Sequence, residues 1–519
     1  MKKYTLFLSL IGFYAFAFGQ ISVSTTSLVF DETFTKDSTE KTVLITNHFS
    51  VYVDLEVGIY QSDFSVNEST FSLAPNNSKT ITVKFKPRHN INYNTELVIY
   101  ETSKVQVFGG LAVDVRGTGK YADTYYSSTQ NLFEEDLKQE LKSILAKNYT
   151  NLGYNGARDV MYGNIDNHGG QVECIYTGRK ATFNTRSGAT SNNFNCEHTW
   201  PQSLFNQTEP ERADIHHLFP TDETANGKRG NYPFAVVVNP SWTDGGSKQS
   251  GSIFEPRDAH KGDAARALFY FATRYQNYSG FLTDQETLLR EWATRFPPAQ
   301  NAIDRNNAVF GYQKNRNPYI DHPEFLERIH SISTTSVAPQ ITEMSISTND
   351  EIIMENAKGK TLTYQFSITN LGNQNITFTA ITPSNNQIAV DNGSFVITPG
   401  ESKIVTLTFN LVSDFLAANL HLKNDALDLN IPVKLYGAAN VSNLLESNMQ
   451  LVQKTGSIMV KNAQKAQFNL YDLTGRELFF TEIQSDFAEI ALSMLTKGFY
   501  FVQVVDLKGN SIVKKIYLE

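Results

Sequence analysis

Cysteine is nearly absent: Cys174 and Cys196 are the only two in a chain of 519 residues. Neither a Cys-x-x-Cys nor a His-x-x-x-His pair occurs, which argues against a zinc site in spite of ten histidines. Positive charge is not in excess. There are 45 Lys and Arg against 53 Asp and Glu, a formal net charge of −8, so the whole molecule offers no basic field for gripping a polyanion. Beyond the N-terminal segment, no apolar run reaches the roughly 20 residues that a membrane-spanning helix needs. Composition excludes disorder, since 40% of residues are apolar and 19% charged. The length exceeds what one hydrophobic core can organise, so three or four domains are expected.

What is present points to export. Lys2 and Lys3, the apolar run from Leu6 to Phe18, and Ala17-Phe18-Gly19 are the three parts of a secretory signal. Residues 1–19 are therefore expected to be removed, exposing Gln20. In an exported chain the two cysteines can pair, closing a short loop worth about 3 kcal/mol. A Cys174–Cys196 disulfide is expected in preference to two buried free thiols.

Rare residues locate the unusual domain. All three tryptophans (Trp200, Trp242, Trp292), both cysteines and seven of the ten histidines fall between 150 and 330. The flanks read as short strands. Ile81, Val83 and Phe85 alternate with Thr and Lys, the period of a half-buried strand. The segment from Phe71 to Phe85 matches that from Phe395 to Phe409 without a gap, and Ile45-Thr46-Asn47 matches Ile368-Thr369-Asn370. Each copy is about 100 residues of strands separated by turn-forming residues, which predicts two immunoglobulin-like sandwiches. The middle changes period: Leu132 to Leu145 and Ala264 to Tyr275 carry apolar residues at helical spacing. Strands return after 443: Phe468 to Gly475 alternates and ends in a turn, Lys497 to Val505 is a second strand, Asp506–Asn510 a turn, and Ser511 to Leu518 a last strand.

Three polar blocks carry the chemistry: Asn195-Cys-Glu197-His198-Thr-Trp-Pro201, Asp214-Ile-His216-His217-Leu-Phe-Pro220 and Asn226-Gly-Lys-Arg229-Gly-Asn231. Hydrolysis of a phosphodiester needs a base to deprotonate water and positive charge to stabilise the phosphoryl oxygens and the leaving alkoxide. A neutral histidine can be the base. A hard divalent cation on oxygen ligands can supply the charge. Glu197 and Asn226 are oxygen donors and His198 is a base.

These blocks resemble the endonuclease I family of secreted and periplasmic nucleases, which have a His-Me finger (ββα-metal) site. The resemblance extends upstream to Ala157-Arg158-Asp-Val-Met-Tyr-Gly163-Asn-Ile-Asp166. Downstream it covers Phe254-Glu-Pro-Arg-Asp258, Lys261 to Tyr270, and Asn315 to Glu324. It implies His198 as general base and Glu197 and Asn226 as metal ligands, with Mg²⁺ as cofactor and Mn²⁺ or Ca²⁺ as alternatives. It implies positioning roles for Asp214 and His216. Arg229 and Asn231 are read as phosphate contacts or helix-capping groups. Some members carry a phosphate-holding arginine in a long insertion. Here 15 residues separate His198 from Asp214, the only arginine among them is Arg212, and the clamp stays unassigned. The C-terminal strands, with Tyr-Asp-Leu-Thr-Gly, Lys-Gly-Phe-Tyr and Lys514-Lys515, resemble a type IX secretion sorting domain. That implies the type IX machinery as a partner.

The expected architecture is a signal (1–19), an Ig-like sandwich (20–120), an α+β catalytic domain (125–332), a second sandwich (339–438) and an all-β sorting domain (443–519). The expected activity is metal-dependent, sequence-indifferent cleavage of DNA at the cell surface or outside it, with RNA left open as a second substrate. Two rival readings fit the same chain: a non-catalytic surface adhesin with a decayed nuclease scaffold, and a phosphodiesterase for a small ester. Trp200 and Trp242 are read as core residues, Asp321-His322-Pro323-Glu324 as a structural turn, and Asp258 as a helix cap.

Overall fold

The computed structural model describes residues 21–518 except 104–108, 277–279, 349–350, 356, 392, 425–426, 438–449 and short stretches after 454. The leader read at 1–19 and the tail turns at 473–475 and 506–510 lie outside the described residues. The described residues pack into four hydrophobic cores: two β-sandwiches, an α/β region between them and an all-β C-terminal part.

Alternation builds the sandwiches. In the Thr39–Asn47 and Ser78–Phe85 strands, every second residue (Val43, Ile45, Ile81, Val83, Phe85) is buried, as side chains on a strand point to opposite faces. The two strands pair antiparallel with Val43 opposite Ile81. The second copy repeats the pairing with Thr361–Asn370 against Ser402–Asn410. The shared Ile-Thr-Asn motif has a physical reason. Asn47 and Asn370 are fully buried. Asn47 Nδ2 donates to Val51 O (2.9 Å) and Leu73 O (2.9 Å), and Asn370 Nδ2 to Gln374 O (2.7 Å) and Ile397 O (3.0 Å). Each Oδ1 accepts the amide two residues on, Phe49 at 2.8 Å and Gly372 at 2.9 Å. A buried amide with both ends satisfied fixes the strand end and the adjoining corner.

In the middle region, the Glu134–Ala146 helix buries Leu137, Leu141, Ile144 and Leu145. The Asp258–Tyr275 helix is buried almost all round and forms the axis of this core. Asp258 is not its cap. Arg257 occupies that position, and Asp258 is the first helical residue, paired with Lys261 at 2.7 Å. Trp200 is buried and stacked on Phe271 at 4.9 Å, so it is core, as expected. His322 bonds Asp123 (2.9 Å) and Glu324 (3.0 Å), and Asp321 pairs with Arg316, which makes this turn a structural clasp. In the C-terminal part, strands fall where the sequence placed them, the first ending at Tyr471, and Gln467–Tyr471, Gly498–Val505 and Ser511–Leu518 lie in one antiparallel sheet.

The expected disulfide is absent: Cys174 and Cys196 are buried free thiols. Cys196 lies opposite Pro220 in the Phe194–His198/Leu218–Asp222 hairpin. Cys174 Sγ accepts the amides of Thr177 (3.3 Å) and Asp222 (3.0 Å) and sits 3.7 Å from the Thr221 hydroxyl. Thr221 and Pro220 are neighbours on one strand, so their side chains point to opposite faces, and the hairpin separates the two sulfurs.

Candidate active site

Two strands and a helix, contiguous in space, carry the three polar blocks. Phe194–His198 pairs antiparallel with Leu218–Asp222, with Glu197 opposite Phe219 and His198 opposite Leu218. The Glu223–Arg229 helix follows without a gap. Asp222 makes this possible by capping the helix, its carboxylate accepting the amides of Thr224 (2.9 Å) and Ala225 (3.2 Å). Gly230, at φ 55, ends the helix where a side chain would be strained.

Because strand side chains alternate, Glu197 and His198 project to opposite faces of their strand. Glu197 is buried, and its Oε1 accepts both the Tyr176 hydroxyl (2.7 Å) and Arg229 Nε (3.0 Å). No partner holds Oε2 among the described residues. Burial raises the Glu197 pKa, against the pull of the Arg229 charge and the Tyr176 hydrogen bond. Arg229 is fully buried and also donates to Thr199 O (2.9 Å) and Tyr232 O, so it positions Glu197 from within the fold. Asn226 is half-buried and lies one helical turn before Arg229, on the same helix face. Asn231 is exposed just beyond the helix.

On the other face, His198 Nε2 meets the Arg212 carbonyl at 3.2 Å. A carbonyl can only accept, so Nε2 carries the hydrogen and Nδ1 keeps its lone pair. Nδ1 has no partner among the described residues. Burial, and the neighbouring His217 ring 5.6 Å away, hold the His198 pKa well below the usual histidine value, so the ring is neutral at pH 7.

Asp214 and His216 lie beneath the site. The Asp214 carboxylate accepts from Tyr270 (2.7 Å), Tyr275 (2.8 Å) and Gln313 (3.0 Å), with Arg274 at 3.6 Å. His216 donates to Asn315 O at 3.1 Å. Both are fully enclosed and hold the loop that leads into the second strand. Arg305 supports the same loop by pairing with Asp166 (2.7 Å) and donating to Leu218 O (2.7 Å). Tyr176 and Arg305 carry no signal in the sequence. Each reaches its partner across a long stretch of chain, and no local spacing marks either residue.

The sequence profile of Endonuclease I matches residues 133–324. A HYDIN/CFA65/VesB-like Ig-like domain matches 346–413, and a secretion system C-terminal sorting domain matches 454–519. The extracellular ribonuclease of Bacillus subtilis (strain 168) is 32% identical over 227 residues, which are 40% of this chain and 78% of the relative. The extracellular ribonuclease of Bacillus amyloliquefaciens is 30% identical over the same shares. An extracellular deoxyribonuclease of Aeromonas hydrophila is 29% identical over 128 residues, 22% of this chain and 52% of the relative. The sorting domain and the extracellular relatives make this an exported protein, acting at the cell surface or beyond. The matched profile contains the hairpin, the helix and the layer that supports them, and one relative is covered over 78% of its length, so the chain belongs to the Endonuclease I family of secreted phosphodiester-hydrolysing nucleases.

Proposed function

We propose that the protein cuts internal phosphodiester bonds of DNA and RNA without sequence preference, using His198 as general base and one divalent cation held by Glu197 and Asn226. The observation that carries this reading is the pair of unmatched atoms at one strand end, Glu197 Oε2 on one face and His198 Nδ1 on the other. Glu197 Oε2 and the Asn226 amide oxygen are hard donors. Two oxygen donors, completed by waters, would suit Mg²⁺, with Mn²⁺ or Ca²⁺ as substitutes. When bound, the cation supplies Lewis-acid charge to the phosphoryl and leaving oxygens.

The chain's own groups do the rest. The Arg212 carbonyl fixes the His198 tautomer, and Nδ1 accepts the proton of the attacking water. Tyr176 and Arg229 lock one carboxylate oxygen of Glu197 and so orient the other. The hairpin followed directly by a helix supports the His-Me finger reading. A ribonuclease and a deoxyribonuclease among the relatives support both substrates. The test is digestion of plasmid and of structured RNA by the purified protein. Cleavage of both in Mg²⁺ and of neither in excess chelator is expected, and undiminished cutting in chelator would overturn the single-cation reading.

A further inference from the structure

Arginines of the catalytic region are mostly neutralised within the fold. Arg179 pairs with Asp222, Arg186 with Asp159, Arg257 with Glu173 and Arg305 with Asp166. Arg158 and Arg212 are different. Among the described residues neither has a carboxylate within ion-pair distance, and both are only half-buried. Their hydrogen-bond partners are neutral: Arg158 Nη2 donates to Asn155 Oδ1 (2.7 Å) and Arg212 Nε to Gln202 Oε1 (3.2 Å). Among the described residues Arg295 and Arg328 also have no carboxylate within ion-pair distance, but neither touches the site, and Arg328 is occupied by carbonyls of the chain.

One ring gathers the two unpaired charges. The guanidinium carbon of Arg158 lies 4.1 Å from the Tyr154 ring centroid, and that of Arg212 lies 4.3 Å from the same centroid. The ring itself is 5.3 Å from His198. Tyr154 is fixed, its amide donating to Glu209 Oε1 at 2.8 Å. Two like charges held around one aromatic ring repel each other, and a shared anion relieves that repulsion. Arg158 Nε is moreover a buried donor with no acceptor among the described residues.

We propose that Arg158 and Arg212, stacked on Tyr154, form the clamp for the backbone phosphate on the His198 side of the site. The assignment rests on the nuclease reading above and adds to it the groups that hold the substrate. Arginine forks match phosphate oxygens two at a time, which a lysine does not. The clamp also answers the charge objection, because a chain of net charge −8 needs its positive charge only where the strand is cut. It places positive charge on the face of the strand opposite Glu197.

The test separates this claim from the one it rests on. Binding of a fluorescent single-stranded oligonucleotide is measured by anisotropy at several salt concentrations, in a His198→Ala background that does not cut. The Arg158→Gln and Arg212→Gln changes should each reduce the slope of log affinity against log salt by about 0.7, the value for one lost phosphate contact. Each should also weaken binding about tenfold or more, as for a lost charged hydrogen bond. In the active background, KM should rise with a smaller fall in kcat. Lysine at either position should restore the salt slope but not the full affinity, and Arg295→Gln, the same charge change elsewhere, should alter neither. If a Gln variant fails to fold, the Lys variant at the same position and the Gln variant at the other decide the matter. Unchanged slope and KM in both single Gln variants would overturn the clamp while leaving the nuclease intact. A wild-type protein that cuts nothing would overturn the nuclease reading.

Discussion

Replacing either member of the Glu197–Arg229 pair should destabilise the catalytic region similarly, yet the two variants should respond differently to magnesium. The side chains are 2% and 0% exposed and meet at 3.0 Å. Removing one partner strands the other's charge in the interior, at a cost of about 3–5 kcal/mol. For a domain of this size, each kcal/mol lowers Tm by about 2–4 °C, so a fall on the order of 10 °C is expected. In Arg229→Met the orphan is a carboxylate that the proposed cation would neutralise, and Mg²⁺ at a hundred times its Kd would return about 2.7 kcal/mol. In Glu197→Ala the orphan is a guanidinium and the ligand is gone, so Mg²⁺ returns nothing. The double change to Met should cost less than either single one. Tryptophan fluorescence is the assay of choice, because all three tryptophans lie in this region and report its melting apart from the sandwiches and tail. Equal magnesium responses in the two single variants would refute the assignment of Glu197 as a ligand.

Four further outcomes are expected. His198→Ala should slow cleavage by roughly a hundredfold or more at unchanged tryptophan melting, read in a plasmid assay. His216, His217 and His260 are held neutral by burial, each with its pKa lowered to about 4. The unfolded chain takes protons first, so stability is complete above about pH 6.5 and is lost as pH falls toward 4, on the order of 3 kcal/mol per ring. A melting temperature that stays flat between pH 6.5 and 4.5 would contradict this. Asn47→Ala and Asn370→Ala should each cost about 1–3 kcal/mol in the denaturation of their own sandwich, because each strips donors from buried carbonyls. Truncation after Ala438 should leave plasmid cleavage unchanged in vitro but prevent export in the native host, checked by fractionating cells and medium.

Local periodicity revealed most of the architecture. The apolar spacing from Leu132 to Leu145 lies on an observed helix, and the gapless repeat lies on equivalent strands in both sandwiches. The motif blocks led to the hairpin and the helix because these elements are contiguous and their polar residues are unusual in kind. What stayed hidden depends on register or on distant partners. Glu197 and His198 are adjacent in sequence but flank their strand, and only the pairing with Phe219 and Leu218 shows which neighbours each one meets. The same alternation separates Cys174 from Cys196, whose closeness along the chain suggested a bond. Tyr176 reaches Glu197 across 21 positions, and no pattern marks it in advance. Arg158 and Arg212 look like ordinary surface charges until Tyr154 is found between them and the base.

The two buried thiols also bear on how the enzyme matures. Burial pushes the Cys196 thiol up to about 12, and Cys174 is sealed behind the amides of Thr177 and Asp222. The Cys196 thiol is held protonated and both sulfurs are buried, so neither offers a handle to oxidants or isomerases. Folding therefore waits on no oxidase, and dithiothreitol, which disarms disulfide-stapled exoenzymes, should leave this one cutting.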